Sequence, residues 1–261
     1  MNLKVTHDEK IAEEYEKDLR RVYIQSNLPF LQVHNGLRPG KLHLVLGPTH
    51  TGKTTLVRSL LHDIMNNNIK MKVLVWLSEE TKADFEQQFF KTPKMGKNFD
   101  HLLVGQEPGD LMATLKTHPD INVLIYDNIT TSRHYSGTNF NDQERFVRDL
   151  KNYFQKTGIA GIVVAHTGSQ IKTNQKKLIE IEDIRGGRSI ANLSEFAYIL
   201  QRWIVDTRMT ANCLRIAKHR GYALTDVVYK FGLDRENLIY SRFVSVDYLE
   251  LKNILKTVFN F

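Results

Sequence analysis

Leu42-His43-Leu44-Val45-Leu46-Gly47-Pro48-Thr49-His50-Thr51-Gly52-Lys53-Thr54-Thr55-Leu56 is the stretch whose reading decides the fold. A mostly apolar run enters a loop bounded by Gly47 and Gly52, and the loop opens an amphipathic segment. Gly-x-x-x-x-Gly-Lys-Thr over Gly47 to Thr54 is the spacing of a phosphate-cradling P-loop. Glycines let the backbone curl so that successive N–H groups point inward at phosphate oxygens. The helix that follows adds the positive end of its dipole. The motif therefore predicts ATP and Mg²⁺ as cofactors. Lys53 supplies a mobile cation for the β- and γ-phosphates, Thr54 a hydroxyl for Mg²⁺. Gly47, Pro48, Thr49, His50, Thr51, Gly52 and Thr55 complete the expected cradle.

Outward from this stretch, strands and helices alternate. The residues after the P-loop read as a helix through Leu56, Leu60, Leu61 and Ile64, ending at Asn66-Asn67-Asn68. Met71 to Leu77 is a second apolar strand, followed by Ser78-Glu79-Glu80-Thr81 and a helix over Lys82 to Phe90. His101 to Val104 reads as a short strand and Asp110 to Lys116 as a helix. Asn122 to Asp127 and Gly161 to His166 are two further strands, with a helix from Asn141 to Thr157 between them. The alternation predicts an α/β fold with a mostly parallel sheet covered on both faces. Beyond a helix around Asn192, Tyr198 to Ile204 and Cys213 to Arg220 read as strands. Tyr222 to Phe231 and Leu238 to Phe243 form an antiparallel appendix, and Val246 to Phe259 a terminal helix. At the other end, Thr6 to about Gln25 reads as a helix whose apolar stripe, Ile11, Tyr15, Leu19 and Tyr23, packs on its own core or on a neighbouring subunit.

The 261 residues suit one large α/β domain with an extension, here placed at residues 1–30, the domain proper spanning residues 31–261. A net charge of +7 fits an anionic partner, nucleic acid above all, or simply a basic surface. With a single cysteine, Cys213, no disulfide framework is possible, and a cytoplasmic setting is expected. No apolar run approaches a membrane span.

Asp127 ends an apolar strand, as a Walker B carboxylate does, where it can support Mg²⁺. The residue after it is Asn128, so the base that orients the attacking water must come from elsewhere. The neighbouring strand ends at Glu79 and Glu80. Glu79 is the favoured base and Glu80 the alternate or helper, unless the pair simply opens a helix. His166 ends another strand and is a candidate sensor of nucleotide state, or an ordinary surface histidine. Alternation places Leu214, Ile216, Lys218 and Arg220 on one face of a strand. Lys218 and Arg220 are then a candidate finger for a neighbour's phosphate, or a solvated basic edge. The loops 130–142 and 167–183 carry Arg133, His134, Tyr135, Phe140, Lys172, Lys176 and Lys177. Cations with interspersed aromatics suit a single-stranded nucleic acid channel, and equally a solvated loop pair.

The order of these features resembles the RecA-like ATPases of the DnaB-type hexameric helicase family, in its core-only, RepA-like form. The resemblance rests on Gly36-Leu37-Arg38-Pro39-Gly40, Gly47 to Thr54, Glu79, Asp127 and His166. It continues through Asp183-Ile184-Arg185-Gly186-Gly187 and Lys218-His219-Arg220-Gly221. It implies a RecA-like fold, a homo-oligomeric ring, a glutamate base matching Glu79 and a Lys-x-Arg finger acting across subunits. It also implies pore loops that grip single-stranded DNA and a helicase or translocase of plasmid or phage replication. Glu79-Glu80-Thr81 is also similar to the paired glutamates of the clock ATPase KaiC. Read as a bare core, without a separate N-terminal domain, the chain is expected to be similar in that respect to RecA-like phage annealing proteins. A filament-forming recombination or annealing ATPase, or a regulatory ATPase with protein partners, therefore stands beside the motor.

Overall fold

The computed structural model describes residues 23–68, 70–90, 99–133, 140–167, 179–183, 188–204, 210–220, 226–234 and 238–247, with residues 249 and 251. Nine strands form one sheet in the order β3-β2-β4-β5-β1-β6-β7-β8-β9. They are β1 (Leu42–Gly47), β2 (Lys72–Leu77), β3 (Leu102–Gln106), β4 (Ile121–Asp127), β5 (Ala160–His166), β6 (Phe196–Ile204), β7 (Thr210–His219), β8 (Val228–Asp234) and β9 (Ile239–Val246). The first six pair in parallel. The last three join antiparallel and form the C-terminal extension. The helices are α1 (Pro29–Gln32), α2 (Lys53–Asn67), α3 (Lys82–Phe90), α4 (Leu111–Thr117), α5 (Phe140–Thr157) and α6 (Arg188–Leu193).

The mostly apolar runs of β1, β2, β4 and β5 follow from cover on both faces. Alternation sorts each run between two cores. Val45, Val73, Val75, Val123, Ile125, Ile162 and Val164 pack with Leu56, Leu60 and Ile64 of α2. Leu44, Leu46, Leu74, Leu124, Tyr126 and Val163 pack with Leu115 of α4 and Leu150 and Phe154 of α5. Truncating a fully buried member such as Leu60 or Leu150 costs about 2–5 kcal/mol. α5 lies so close to β5 that a Cβ on Gly161 would stand 2.0 Å from the Phe154 ring.

Two expectations change. Ile24 bridges Leu37 in antiparallel fashion, so the chain is already extended there and a helix reaching Gln25 is too long. Ile24, Leu28 and Phe30 belong to the α2-side core, and Asp63 on α2 accepts hydrogen bonds from Ser26 (2.6 Å) and the Asn27 N–H (3.0 Å). Secondly, the β6–β7 register slips between Ala197 and Tyr198, which pair with Lys218 and Ile216 and leave Ala217 as a bulge. A bulge shifts the alternation by one residue. Leu214 and Ile216 therefore face the α2-side core, while Lys218 and Arg220 point to the opposite face, where both reach the Asn192 carbonyl of α6. The N-terminal stripe through Leu19, most of the terminal helix, and His134, Tyr135, Lys172, Lys176 and Lys177 lie outside the described residues.

Candidate active site

The same alternation that sorts the core delivers the polar groups. Asp127 follows Val123 and Ile125, His166 follows Ile162 and Val164, and Glu79 follows Val75 and Leu77, each two residues further along. All three therefore emerge on the α2 face at the C-terminal end of the parallel strands, the usual place for ligands in such sheets. Register finishes the placement: Leu77 pairs with Asp127 and Gly47 with His166.

The P-loop arches between β1 and α2. Gly52 is the N-cap of α2 with φ of 89°, a left-handed conformation that glycine adopts without strain. The Pro48 carbonyl accepts hydrogen bonds from the Thr51 hydroxyl (2.8 Å) and from Lys53 Nζ (2.7 Å). Burial pushes the Lys53 ammonium down to about 8, although Asp127 and Glu79 pull it back up. A phosphate bound in the loop would add a further anion beside this desolvated cation. Asp127 is buried, and burial raises its carboxyl pKa against a hydrogen bond from the Thr54 side chain and the charge of Lys53.

A carboxylate hydrogen-bonded to a hydroxyl is a pair of hard oxygen donors, which fits Mg²⁺. Among the described residues no cluster of three His, Cys, Asp or Glu side chains could hold a metal by itself.

Glu79 and Glu80 part company. Glu79 Oε1 lies 2.8 Å from His166 Nε2, which in turn lies 2.9 Å from Asn128 Nδ2. Asn128 Oδ1 accepts from the N–H groups of Thr130 (2.8 Å) and Thr131 (3.1 Å), which turns the amide nitrogen toward His166 and Glu79. A carboxylate only accepts, so His166 carries its proton on Nε2, and both His166 and Asn128 donate to Glu79. These bonds, His166 first, hold the Glu79 carboxyl below its usual range and keep it ionised, burial opposing. Glu80 instead pairs with Arg58 of α2 at 3.6 Å, and burial raises its pKa. Ser78 fastens the neighbouring turn: its hydroxyl donates to the Asn128 carbonyl (2.6 Å) and accepts from the Asn128 N–H (3.0 Å). His166 Nδ1 is buried without a hydrogen-bond partner among the described residues.

Lys218 and Arg220 are not at this site. The Arg220 N–H donates to Glu195 O and the Glu195 N–H to Leu42 O, so Arg220 stands level with the start of β1. The P-loop begins at its end, a rise of roughly 16 Å away at about 3.3 Å per residue. Lys218 Nζ donates to Ala191 O (2.6 Å) and Arg220 to Asn192 O (3.0 Å), with Lys151 on Leu193 O (2.7 Å), so three cations cap the C-terminus of α6. Burial pushes Lys218 down to about 8. Arg133 is exposed at the end of the turn after β4, its N–H bonded to Glu107.

Asn128, Ser78, Arg58 and Tyr240 escaped the sequence reading. The register of Leu77 on Asp127 would have flagged Ser78 beside Asn128; nothing local to residue 240 flags the P-loop. Tyr240 reaches it from β9, 3.3 Å from the Thr51 carbonyl.

A family model described as the AAA domain matches residues 24–170. The chain belongs to the AAA domain family. Comparison with curated proteins finds no match. Among solved structures, this AAA domain chain is similar to a DnaB-like replicative helicase, in a study that also covers its interactions with primase. The TM-score is 0.72 at 14% identity, over 89% of this chain and 66% of the helicase. It is also similar to a KaiC-like protein from the hyperthermophilic archaeon Pyrococcus horikoshii, with a TM-score of 0.64 at 14% identity over 85% of this chain and 99% of that one. At such identity the likeness is one of fold: a RecA-like, mostly parallel α/β sheet. Among the described residues no helix is long and apolar enough to cross a membrane.

Proposed function

We propose that this chain hydrolyses ATP between adjacent copies of itself in a ring, probed first as a hexamer, and uses turnover to move on single-stranded DNA. One observation carries the reading: Lys53, Asp127, Glu79 and His166 meet at the C-terminal end of the parallel strands, while the paired cations Lys218 and Arg220 lie at the other end. Lys218 and Arg220 cannot reach their own P-loop, so any role they have in hydrolysis is in trans.

In this reading the P-loop N–H groups and Lys53 hold the β- and γ-phosphates, and Thr54 and Asp127 hold Mg²⁺, which neutralises phosphate charge when bound. Glu79, kept ionised by His166 and Asn128, accepts a hydrogen bond from the attacking water and aims it in line with the γ-phosphate. Glu80, spent on Arg58, is a structural partner and no base. His166 shares Glu79 with the site and its backbone N–H donates to Thr130 Oγ1 (2.8 Å), so it can pass a change at the phosphate to the turn leading toward Arg133. Arg133, Lys172, Lys176 and Lys177 then meet DNA phosphates.

The KaiC-like match spans nearly all of that protein, which favours a second reading, a regulatory ATPase with protein partners. One experiment separates the two: ATPase rate and electron microscopy with a non-hydrolysable ATP analogue, with and without single-stranded DNA. Rings and a salt-sensitive stimulation by DNA support the motor. Helical filaments support the annealing type, and indifference to DNA at every salt concentration removes nucleic acid from the account.

A further inference from the structure

The antiparallel extension contributes one side chain to the nucleotide cradle. Tyr240 on β9 is buried, its ring tilted against Phe231 with centroids 4.5 Å apart. Its backbone N–H donates to Ser59 Oγ of α2 at 2.7 Å. Its hydroxyl occupies the space that the absent side chain of Gly52 leaves: a Cβ there would stand 1.8 Å from Tyr240 Oη. That hydroxyl donates to the Thr51 carbonyl at 3.3 Å and is hydrogen-bonded by the Thr55 side chain. Burial pushes its pKa up to about 12, so it remains a donor across the working pH range.

The consequence lies in the peptide plane. Thr51 C=O and Gly52 N–H belong to one trans unit, so they point in opposite directions. Drawing the carbonyl toward Tyr240 aims the Gly52 N–H the other way, away from Tyr240. We propose that Tyr240 is a positioning residue of the nucleotide site, which sets the direction of the Gly52 N–H and the Thr55 hydroxyl and so couples docking of the β8–β9 hairpin to nucleotide binding. By linkage the coupling is reciprocal: nucleotide must tighten the hairpin as much as the hairpin tightens nucleotide. The proposal rests on the reading of Gly47 to Thr54 as an ATP site.

The test uses the full chain, the fluorescent analogue N-methylanthraniloyl-ATP with Mg²⁺, and amide hydrogen exchange. Tyr240→Phe keeps the ring and removes the hydroxyl. Its affinity for the analogue is expected to fall about five- to tenfold, the size of one lost hydrogen bond. KM for ATP rises in step while kcat stays within about twofold, a split that general loosening does not produce. The melting temperature without nucleotide falls by less than about 4 °C. In the wild-type chain, nucleotide slows exchange across residues 239–246, a measurement that needs no variant. Equal affinity in Tyr240→Phe, or a hairpin whose exchange ignores nucleotide, overturns the coupling alone. A wild-type chain that binds no nucleotide overturns the ATP site and the coupling with it.

Discussion

The two ends of the parallel strands carry polar clusters of opposite character. At the C-terminal end, Lys53, Asp127 and Glu79 are charged groups in a partly buried setting, and the ammonium and the Asp127 carboxyl are both shifted toward neutrality. At the N-terminal end sits a sealed ladder of neutral rings. The Arg38 N–H donates to His43 Nε2 (3.3 Å), His43 Nδ1 faces the Tyr198 hydroxyl (3.1 Å), and that hydroxyl faces His34 Nε2 (2.7 Å). His43 Nε2 accepts, so His43 Nδ1 holds the proton and donates to Tyr198, which donates onward to His34. His34 stacks on His219 with ring centroids 5.1 Å apart. At one end the rings hydrogen-bond and stack on one another as neutral groups; at the other, charged groups are gathered in a desolvated setting. Charged groups so gathered are a mark of functional sites.

The largest test of this contrast is Lys53→Ala. It is expected to lower phosphate release by at least about 10³-fold while leaving the melting temperature unchanged or higher, because a desolvated cation is removed. A comparable loss of stability would mean that Lys53 is structural. Next comes the split between the two glutamates. Glu79→Gln is expected to cut turnover about 10²- to 10⁴-fold with ATP binding retained. Glu80→Gln weakens only the pair with Arg58, and turnover should stay within about threefold. Equal losses in the two variants would return both carboxylates to the chemistry.

Much of this site was legible in the chain, for a physical reason. Strand alternation is local, so Val75-x-Leu77-x-Glu79, Ile125-x-Asp127 and Val164-x-His166 each declare which face their last residue joins. The P-loop is local as well. What could not be read depends on register between distant segments. The bulge at Ala217 turns Lys218 and Arg220 to the α6 face, and it exists only in the pairing of β7 on β6. The different surroundings of Glu79 and Glu80 come from His166, Asn128 and Arg58, from three other elements. Tyr240 meets the P-loop across 189 residues.

Arg220→Ala sharpens the contrast from the N-terminal end, where Lys218 and Arg220 lie beside the ladder. Within one chain it removes a cap on α6, worth about 1 kcal/mol. If Arg220 serves a neighbour, hydrolysis falls about 10²- to 10³-fold while ATP binding persists. Mixing Arg220→Ala with Glu79→Gln subunits then restores activity at the interfaces where both intact residues meet. Retained turnover in Arg220→Ala alone, or mixtures no better than their parents, would leave Arg220 as a helix cap and nothing more.

The smallest effect belongs to the histidine ladder. Burial pushes His34 down to about 3, with His219 and Arg38 adding repulsion, and drives His43 well below its ordinary value of 6.5. The unfolded chain takes up protons near pH 6.5 that the folded chain refuses. Stability from this cluster is therefore fully present above about 6.5 and declines as pH falls from there toward 3. The slope is about 1.4 kcal/mol per pH unit for each histidine once the pH is below that point. Buried carboxyls with raised pKa, Asp63, Glu80 and Asp127, act in the opposite direction, since the folded chain binds their protons more readily. A difference between variants isolates the ladder from them. His34→Gln keeps an acceptor for the Tyr198 hydroxyl but cannot titrate. Its denaturation midpoint between pH 7.5 and 5.5 should fall less steeply than that of the parent, by one histidine's share. Parallel lines for the two proteins would show that His34 charges as readily in the folded chain as outside it, and the sealed end would lose the neutrality that sets it apart from the nucleotide end.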